Sequence, residues 1–435
     1  MVCLGLCAWA HVFGQHIKKF FLVHVLSLAR SPLPCSLLGS ECGAGNSAMK
    51  RLVCCLDGTW NNDANEDEFT NIVKIHRAIA RAGSDGIRQV SHYVRGIASN
   101  KDQDKKFLRG AVGAEVGDRI AEAYRFLKNN YDAGDEVYIF GFSRGAFEAR
   151  SLASLIQLIG IAHSASPFVF EDAWALYRNS ERKRSPKELQ RVRSMCTYPA
   201  KITALNVFDT VGNIGNPILD NSIIDRKLAF HDMRLHANVG VALHALSIDD
   251  IRGPFAPTLF TTGKREALPK GQHVEQVWFA GSHADVGGGW KETELSDIAL
   301  LWMARRVEVL TSLRFDWQIL RATTRPNALG LQHASSTGKI FKWSNKIPYL
   351  RLIHQQRRGI PIARRLLLRS WRTNWLGYGR TSINEKIHES VFARLGKVVH
   401  EQVSGVEREI VYAPCTLVRP QHYESPPRLK LQNAP

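Results

Sequence analysis

Between residues 49 and 160 short apolar runs alternate with amphipathic stretches, and that order leaves few folds open. Arg51–Leu56 (RLVCCL) is an apolar run stopped by Asp57-Gly58, the pattern of a strand covered on both faces. Thr70 stands where it can cap a helix carrying Ile72, Ile75 and Ile79 on one side and ending near Gly83. Ser91–Val94 (SHYV) reads as a second strand, stopped by Arg95-Gly96. A longer helix comes next, with Val112, Val116, Ile120, Ala123, Tyr124, Leu127 and Tyr131 at helical spacing. After the turn at Asp132–Asp135, Val137–Phe142 (VYIFGF) is a third strand and Ala146–Ile159 continues as a helix. A β-α-β-α-β order builds a parallel sheet through right-handed crossovers. The expected class is therefore α/β: a mainly parallel sheet with helices on both faces, helical insertions and a basic C-terminal extension.

In an open α/β sheet, function gathers at the carboxyl ends of the strands. Asp57-Gly58-Thr59, Arg95-Gly96 and Ser143 fall there. So do Asp209, after the apolar run Ile202–Phe208, and His283, just after Val274–Phe279. Gly141-Phe142-Ser143-Arg144-Gly145 fits G-x-S-x-G, in which a serine sits on a sharp strand-to-helix turn. The glycines at 141 and 145 let strand and helix approach, and the turn lifts Oγ above the sheet beside a helix N-terminus. A serine hydroxyl needs an imidazole to take its proton, and in this fold the partners come in the order Ser, acid, His. Asp209 and His283 satisfy that order. His388 is a rival base and Asp285 a rival acid. The oxyanion donors expected are the amide of Arg144 and one from the loop Gly58-Thr59-Trp60. Asp57-Gly58-Thr59 also matches the end of the phosphatase pattern D-x-D-G-T, but Cys55 stands where the nucleophilic aspartate is required.

Six stretches together resemble one family, the type VI secretion phospholipase effector, Tle-like catalytic domain: Leu56–Asn61 (LDGTWN), Gly141–Arg150 (GFSRGAFEAR), Val207–Gly212 (VFDTVG), Ala242–Arg252 (ALHALSIDDIR), Val277–Gly289 (VWFAGSHADVGGG) and Ile387–Val391 (IHESV). The resemblance runs from about 49 to 395. It implies an α/β-hydrolase fold and a Ser-Asp-His triad, carried here by Ser143, Asp209 and His283. It also implies hydrolysis of phospholipid acyl esters and export by type VI secretion from the cytoplasm of a producing cell. It identifies no immunity or secretion partner.

The rest of the chain bounds this reading. Of 435 residues, 49–330 form the expected catalytic domain and 331–435 a basic extension that continues the family domain to about 395. Glu171–Pro199, charged and helical in pattern, is an insertion expected to cover the site. Residues 1–48 differ in character from the rest of the chain and hold four of its eight cysteines. They read as a mis-assigned start, with Met49 as the alternative, as a peripheral leader, or as a signal peptide built on Lys18, Lys19 and Phe20–Ala29. No stretch of 18 apolar residues announces a membrane span. The eight cysteines form no C-x-x-C or Cys/His zinc spacing, so no metal and no other cofactor is expected. Cys54 and Cys55 read as buried thiols of a protein folded in a reducing cytoplasm.

The net charge is +18, and Gly338–Arg380 holds eleven Lys/Arg and no acid, interleaved with Trp343, Tyr349, Trp371, Trp375 and Tyr378. Such a segment suits an anionic membrane surface, or a face that packs its Leu/Trp side on the domain. Nucleic acid is the less favoured charged partner. Three functions remain open: a lipid hydrolase, an esterase acting on a soluble ester, or a non-catalytic membrane- or nucleic-acid-binding protein on a hydrolase scaffold.

Overall fold

Successive residues of a strand face opposite sides of a sheet, so a run that is apolar throughout must be covered on both. Arg51–Leu56 (β1) obeys this. Leu52, Cys54 and Leu56 join one buried cluster, and Val53 and Cys55 join another on the opposite face. Glu136–Phe142 (β3) repeats the pattern, with Val137 and Ile139 against Tyr138, Phe140 and Phe142. The computed structural model describes residues 48–58, 69–96, 112–179, 181–211, 235–252, 255–261, 268–335, 349–351, 353, 372–373 and 383–418. The residues before 48 lie outside it, as does most of Gly338–Arg380.

Seven strands form one sheet: β1, Gln89–Val94 (β2), β3, Ile202–Phe208 (β4), Val239–Ser247 (β5), His273–Phe279 (β6) and Glu385–Ile387 (β7). Their order is β7-β6-β5-β4-β3-β1-β2, and every pairing is parallel. The chain leaves β1 toward one edge and returns to build the other, so the order reverses between β1 and β3. A crevice opens at such a switch point beyond the strand ends. Asp57 ends β1 there and Ser143 ends β3.

Helices cover both faces. Val112–Asn130 (α2) and Arg144–Ile159 (α3) pack on one; Asn71–Ala78 (α1) and Glu294–Leu310 (α6) pack on the other. Thr70 caps α1 by accepting from the Val73 amide at 3.3 Å. Between α3 and β4, Phe170–Arg178 (α4) and Pro186–Arg193 (α5) form the inserted helices. Their described packing is against α3 and the cluster around Tyr124, with Phe168 and Phe170 on that ring. The reason is apolar area: Ala173, Leu176 and Tyr177 are buried in the α2–α3 cluster.

The stretch after 330 is continuous with this body. Glu385–Ile387 extends the sheet beside β6, and Ile353, Ile387, Val399 and Tyr412 share a core with Trp278 at its end. A hairpin of Val398–Val403 (β8) and Val406–Val411 (β9) comes after it. Among the described residues no helix is long and apolar enough to cross a membrane.

Candidate active site

Ser143 takes φ 57° and ψ −121°, and Asp209 takes φ 35°. Among the described residues only four non-glycine residues have positive φ, and these are two of them. Such backbone costs roughly 1–3 kcal/mol per residue and persists where its surroundings impose it. For Ser143 the surroundings are plain. Its amide donates to Phe208 O at 3.1 Å, extending the ladder one residue past β3. A Cβ at Gly145 would lie 2.2 Å from Leu56 O and 2.5 Å from Asp57 O; one at Gly141 would lie 2.6 Å from Gly145 O. The helix can start against β1 only because both positions are bare. Arg144 is its first residue, where main-chain amides have no intrahelical acceptor and the helix dipole favours negative charge.

Asp209 continues β4 and donates its amide to Ala245 O at 2.7 Å. Its carboxylate is fully buried and fully bonded. Oδ2 meets His283 Nδ1 at 2.6 Å and Arg351 Nη2 at 3.1 Å; Oδ1 accepts from Arg351 Nη1 at 2.7 Å and from the Ser247 amide at 3.1 Å. Burial pushes this carboxyl up, but Arg351 and His283 outweigh it and hold it well below the usual carboxylate range. An ionised carboxylate only accepts, so Nδ1 carries the proton and Nε2 keeps a lone pair that can accept one. Nε2 is buried and makes no hydrogen bond. Burial lowers the imidazole below its ordinary value despite Asp209, which favours the neutral ring.

The ring is wedged between Phe142, at 4.7 Å between centroids, and Phe255, edge-on at 5.0 Å. Phe142 directly precedes Ser143, so the unpartnered nitrogen belongs to a ring packed on the serine's own turn. The His283 amide donates to Asp250 Oδ2 at 3.2 Å, and Asp250 is in turn paired with Arg252. A neutral serine hydroxyl, a neutral imidazole and an anionic acid at one sheet edge are the parts of an activated nucleophile.

The sequence model of the family described as "T6SS, Phospholipase effector Tle1-like, catalytic domain" matches residues 50–306, more than half of the chain. The chain belongs to this family. It is also similar to an uncharacterized protein of Saccharomyces cerevisiae, at 29% identity over 238 residues, covering 50% of this chain and 33% of that one. Among solved structures it is similar to an uncharacterized protein from Pseudomonas aeruginosa (18% identity, TM-score 0.40, 73% of this chain and 52% of that). A second is the Tle1 effector bound to the VgrG spike from the type 6 secretion system (17% identity, TM-score 0.34, 56% of this chain and 52% of that). The chain thus spans about a third of the curated relative and about half of each solved chain.

The other sequence candidates separate in the structure. His388 is buried, stacked on Phe279 at 4.7 Å, and caps the short helix after β7 through Nδ1, 3.2 Å from the Ser390 amide. Burial pulls it down to about 4. Asp285 faces His333 (2.7 Å) and closes a capping box with Ser282, so it braces the His283 turn rather than the ring. The Gly58 amide is spent on Asp57 Oδ1 at 2.6 Å, which removes it as an oxyanion donor in this arrangement. Thr59 lies outside the described residues. Among those described, no group of three or more His, Cys, Asp or Glu could hold a metal ion.

Sequence reasoning misses three residues at the site. Arg351 reads as one more charge of the basic segment, yet its side chain is wholly buried against Asp209. A lone cation inside Tyr349-Leu350-Arg351-Leu352-Ile353 is the available signal, because a charge in an apolar run needs a buried partner. His244 holds the Asp209 turn by accepting from the Thr210 amide at 3.1 Å, and burial drives it down to about 3. Asp250, inside the stretch Ala242–Arg252, anchors the His283 amide.

Proposed function

We propose that the chain is a serine hydrolase that cleaves carboxylic esters, the acyl esters of phospholipids first among them. One observation carries the reading: a neutral imidazole fixed by a buried anionic aspartate, its other nitrogen unpartnered, packed on the strained turn that presents Ser143. Membership in a phospholipase effector family supports the choice of lipid esters.

In this mechanism His283 Nε2 takes the Ser143 proton as Oγ attacks the acyl carbonyl carbon. The tetrahedral oxyanion is stabilised at the helix start by the Arg144 amide. Collapse breaks the carbon–oxygen ester bond, and the imidazolium returns its proton to the leaving alkoxide, releasing the lysolipid. Water, deprotonated by the same nitrogen, then attacks the acyl-enzyme and frees the fatty acid. Asp209 stays ionised throughout, orienting the ring and stabilising the imidazolium.

The test is fatty-acid release from phospholipid vesicles by the wild type and by Ser143→Ala, with short soluble esters assayed in parallel. Release by the wild type that the variant abolishes supports the proposal. Hydrolysis of soluble esters alone moves the substrate to a non-lipid ester. Undiminished release by Ser143→Ala refutes the mechanism.

A further inference from the structure

An aspartate that orients a catalytic histidine does so by its negative charge, so a cation placed on that carboxylate is a conspicuous addition. Arg351 is such a cation. The guanidinium has five N–H donors, and the structure accounts for all five. Nη1 donates to Asp209 Oδ1 and to Ser247 O, each at 2.7 Å; Nη2 donates to Asp209 Oδ2 at 3.1 Å and to Phe255 O at 2.8 Å; Nε donates to Asp250 O at 2.9 Å. The side chain is wholly buried. Its main chain is pinned as well, Arg351 O accepting from Thr416 Oγ1 at 2.8 Å. The contacts link the carboxylate beside His283, the end of β5, the backbone of Asp250 and the backbone of Phe255, whose ring lies against His283.

Resting on the reading of His283 as the base, we propose that Arg351 is a positioning residue of the site, clamping Asp209 in two-point contact and setting the pH range over which His283 accepts a proton. It comes from beyond residues 50–306, the span matched by the family model. The site is therefore completed by a part of the chain outside that span.

The sign of the effect is set by the charges that face the pair. Asp209 is met by His283, Arg351 and, from the adjacent strand β5, the neutral His244, which itself feels Arg150. His283 is met by Asp209 and Asp250, and by Arg252. Asp250 has its own counter-ion in Arg252, so Arg351 is the cation that offsets Asp209. Adding a proton to the Asp209–His283 pair brings positive charge toward a fixed guanidinium. Removing that guanidinium makes protonation easier, whichever of the two residues takes the proton.

The experiment is the pH profile of kcat/KM for the wild type, Arg351→Met and Arg351→Lys, with thermal unfolding to confirm that each is folded. In Arg351→Met the acid limb is expected to move up by about one pH unit, a tenfold loss at the foot of the wild-type limb beyond any uniform fall. In Arg351→Lys the charge stays but the fork is lost, so the limb is expected to stay in place while kcat falls about tenfold or more at unchanged KM. A merely structural arginine would lower both profiles without moving either limb. An unmoved limb in Arg351→Met overturns the proposal. Should that variant fail to fold, the lysine variant decides alone, and a wild-type kcat or an upward-shifted limb in it overturns the proposal. A wild type with no esterase activity would instead sink the hydrolase reading on which this rests.

Discussion

Ser143 is held by main chain packed closely on main chain, whereas His283 is held by side chains brought from several distant stretches. The serine turn needs Gly141 and Gly145 bare, with the ends of β1 and β4 against it. The imidazole needs Asp209, 74 positions away, which in turn holds Arg351, 142 positions from it, with Asp250 and Phe255 completing the setting. A turn built on close main-chain packing should break by sterics and take the fold with it. A centre assembled from remote polar contacts should break by chemistry and leave the fold standing.

The largest expected effect sharpens that contrast. His283→Ala and Asp209→Asn should each cost roughly 10⁴-fold in ester hydrolysis, by analogy with losses in triad enzymes. The histidine variant is expected to unfold within a few degrees of the wild type, read by calorimetry. Gly145→Ala should do the reverse and damage the fold itself. Its new Cβ would lie 2.2 Å from Leu56 O, main chain that cannot swing aside. We expect a loss of about 3 kcal/mol or more by denaturant titration, as for severe overpacking. A Gly145→Ala variant as stable as the wild type would show that the turn does not depend on this close packing.

A smaller effect is expected where the two regions meet. His244→Leu leaves the buried Thr210 amide without its acceptor, at a cost of about 1–3 kcal/mol. The Asp209 turn should loosen, and kcat fall with little change in KM. An unchanged kcat would show that the turn is held without this imidazole.

The smallest effect concerns pH and stability. Burial raises Asp57 to about 6, and Glu148 and Asp249 to about 7, above the values near 4 of an unfolded chain. The folded protein therefore holds these protons more tightly, and the stability they contribute is complete below about pH 4 and lost as pH rises through 6 and 7. His244 and His388, held neutral by burial, act oppositely but only below about pH 6.5. Between pH 6.5 and 8 the carboxyls dominate, so Tm should fall across that range, and Glu148→Gln should flatten the slope. A Tm that rises would contradict the assignment.

The same contrast explains how much can be read from sequence. Arg51–Leu56 and Ile202–Phe208 are strands at the residues expected, and α1 starts on Thr70, because alternation and capping are local signals. Gly141-x-Ser143-x-Gly145 is legible for the same reason. The sequence order also singles out Asp209 and His283, which the structure brings to 2.6 Å. Arg351 and His244 are not legible, since their roles exist only once distant strands are packed. Gly58 misleads because an amide's direction depends on Asp57, a buried carboxyl that competes for it. The packing of the inserted helices is not legible because their polar pattern fits many surfaces, and only the burial of Ala173, Leu176 and Tyr177 shows which one they cover.

Activation of Ser143 by His283 is read most directly by labelling with a fluorophosphonate, which reacts with activated serine hydroxyls, combined with peptide mapping. One adduct is expected, on Ser143 in the wild type, absent in Ser143→Ala and strongly slowed in His283→Ala. An unlabelled wild type, or labelling of Ser143 at an undiminished rate without His283, would contradict it.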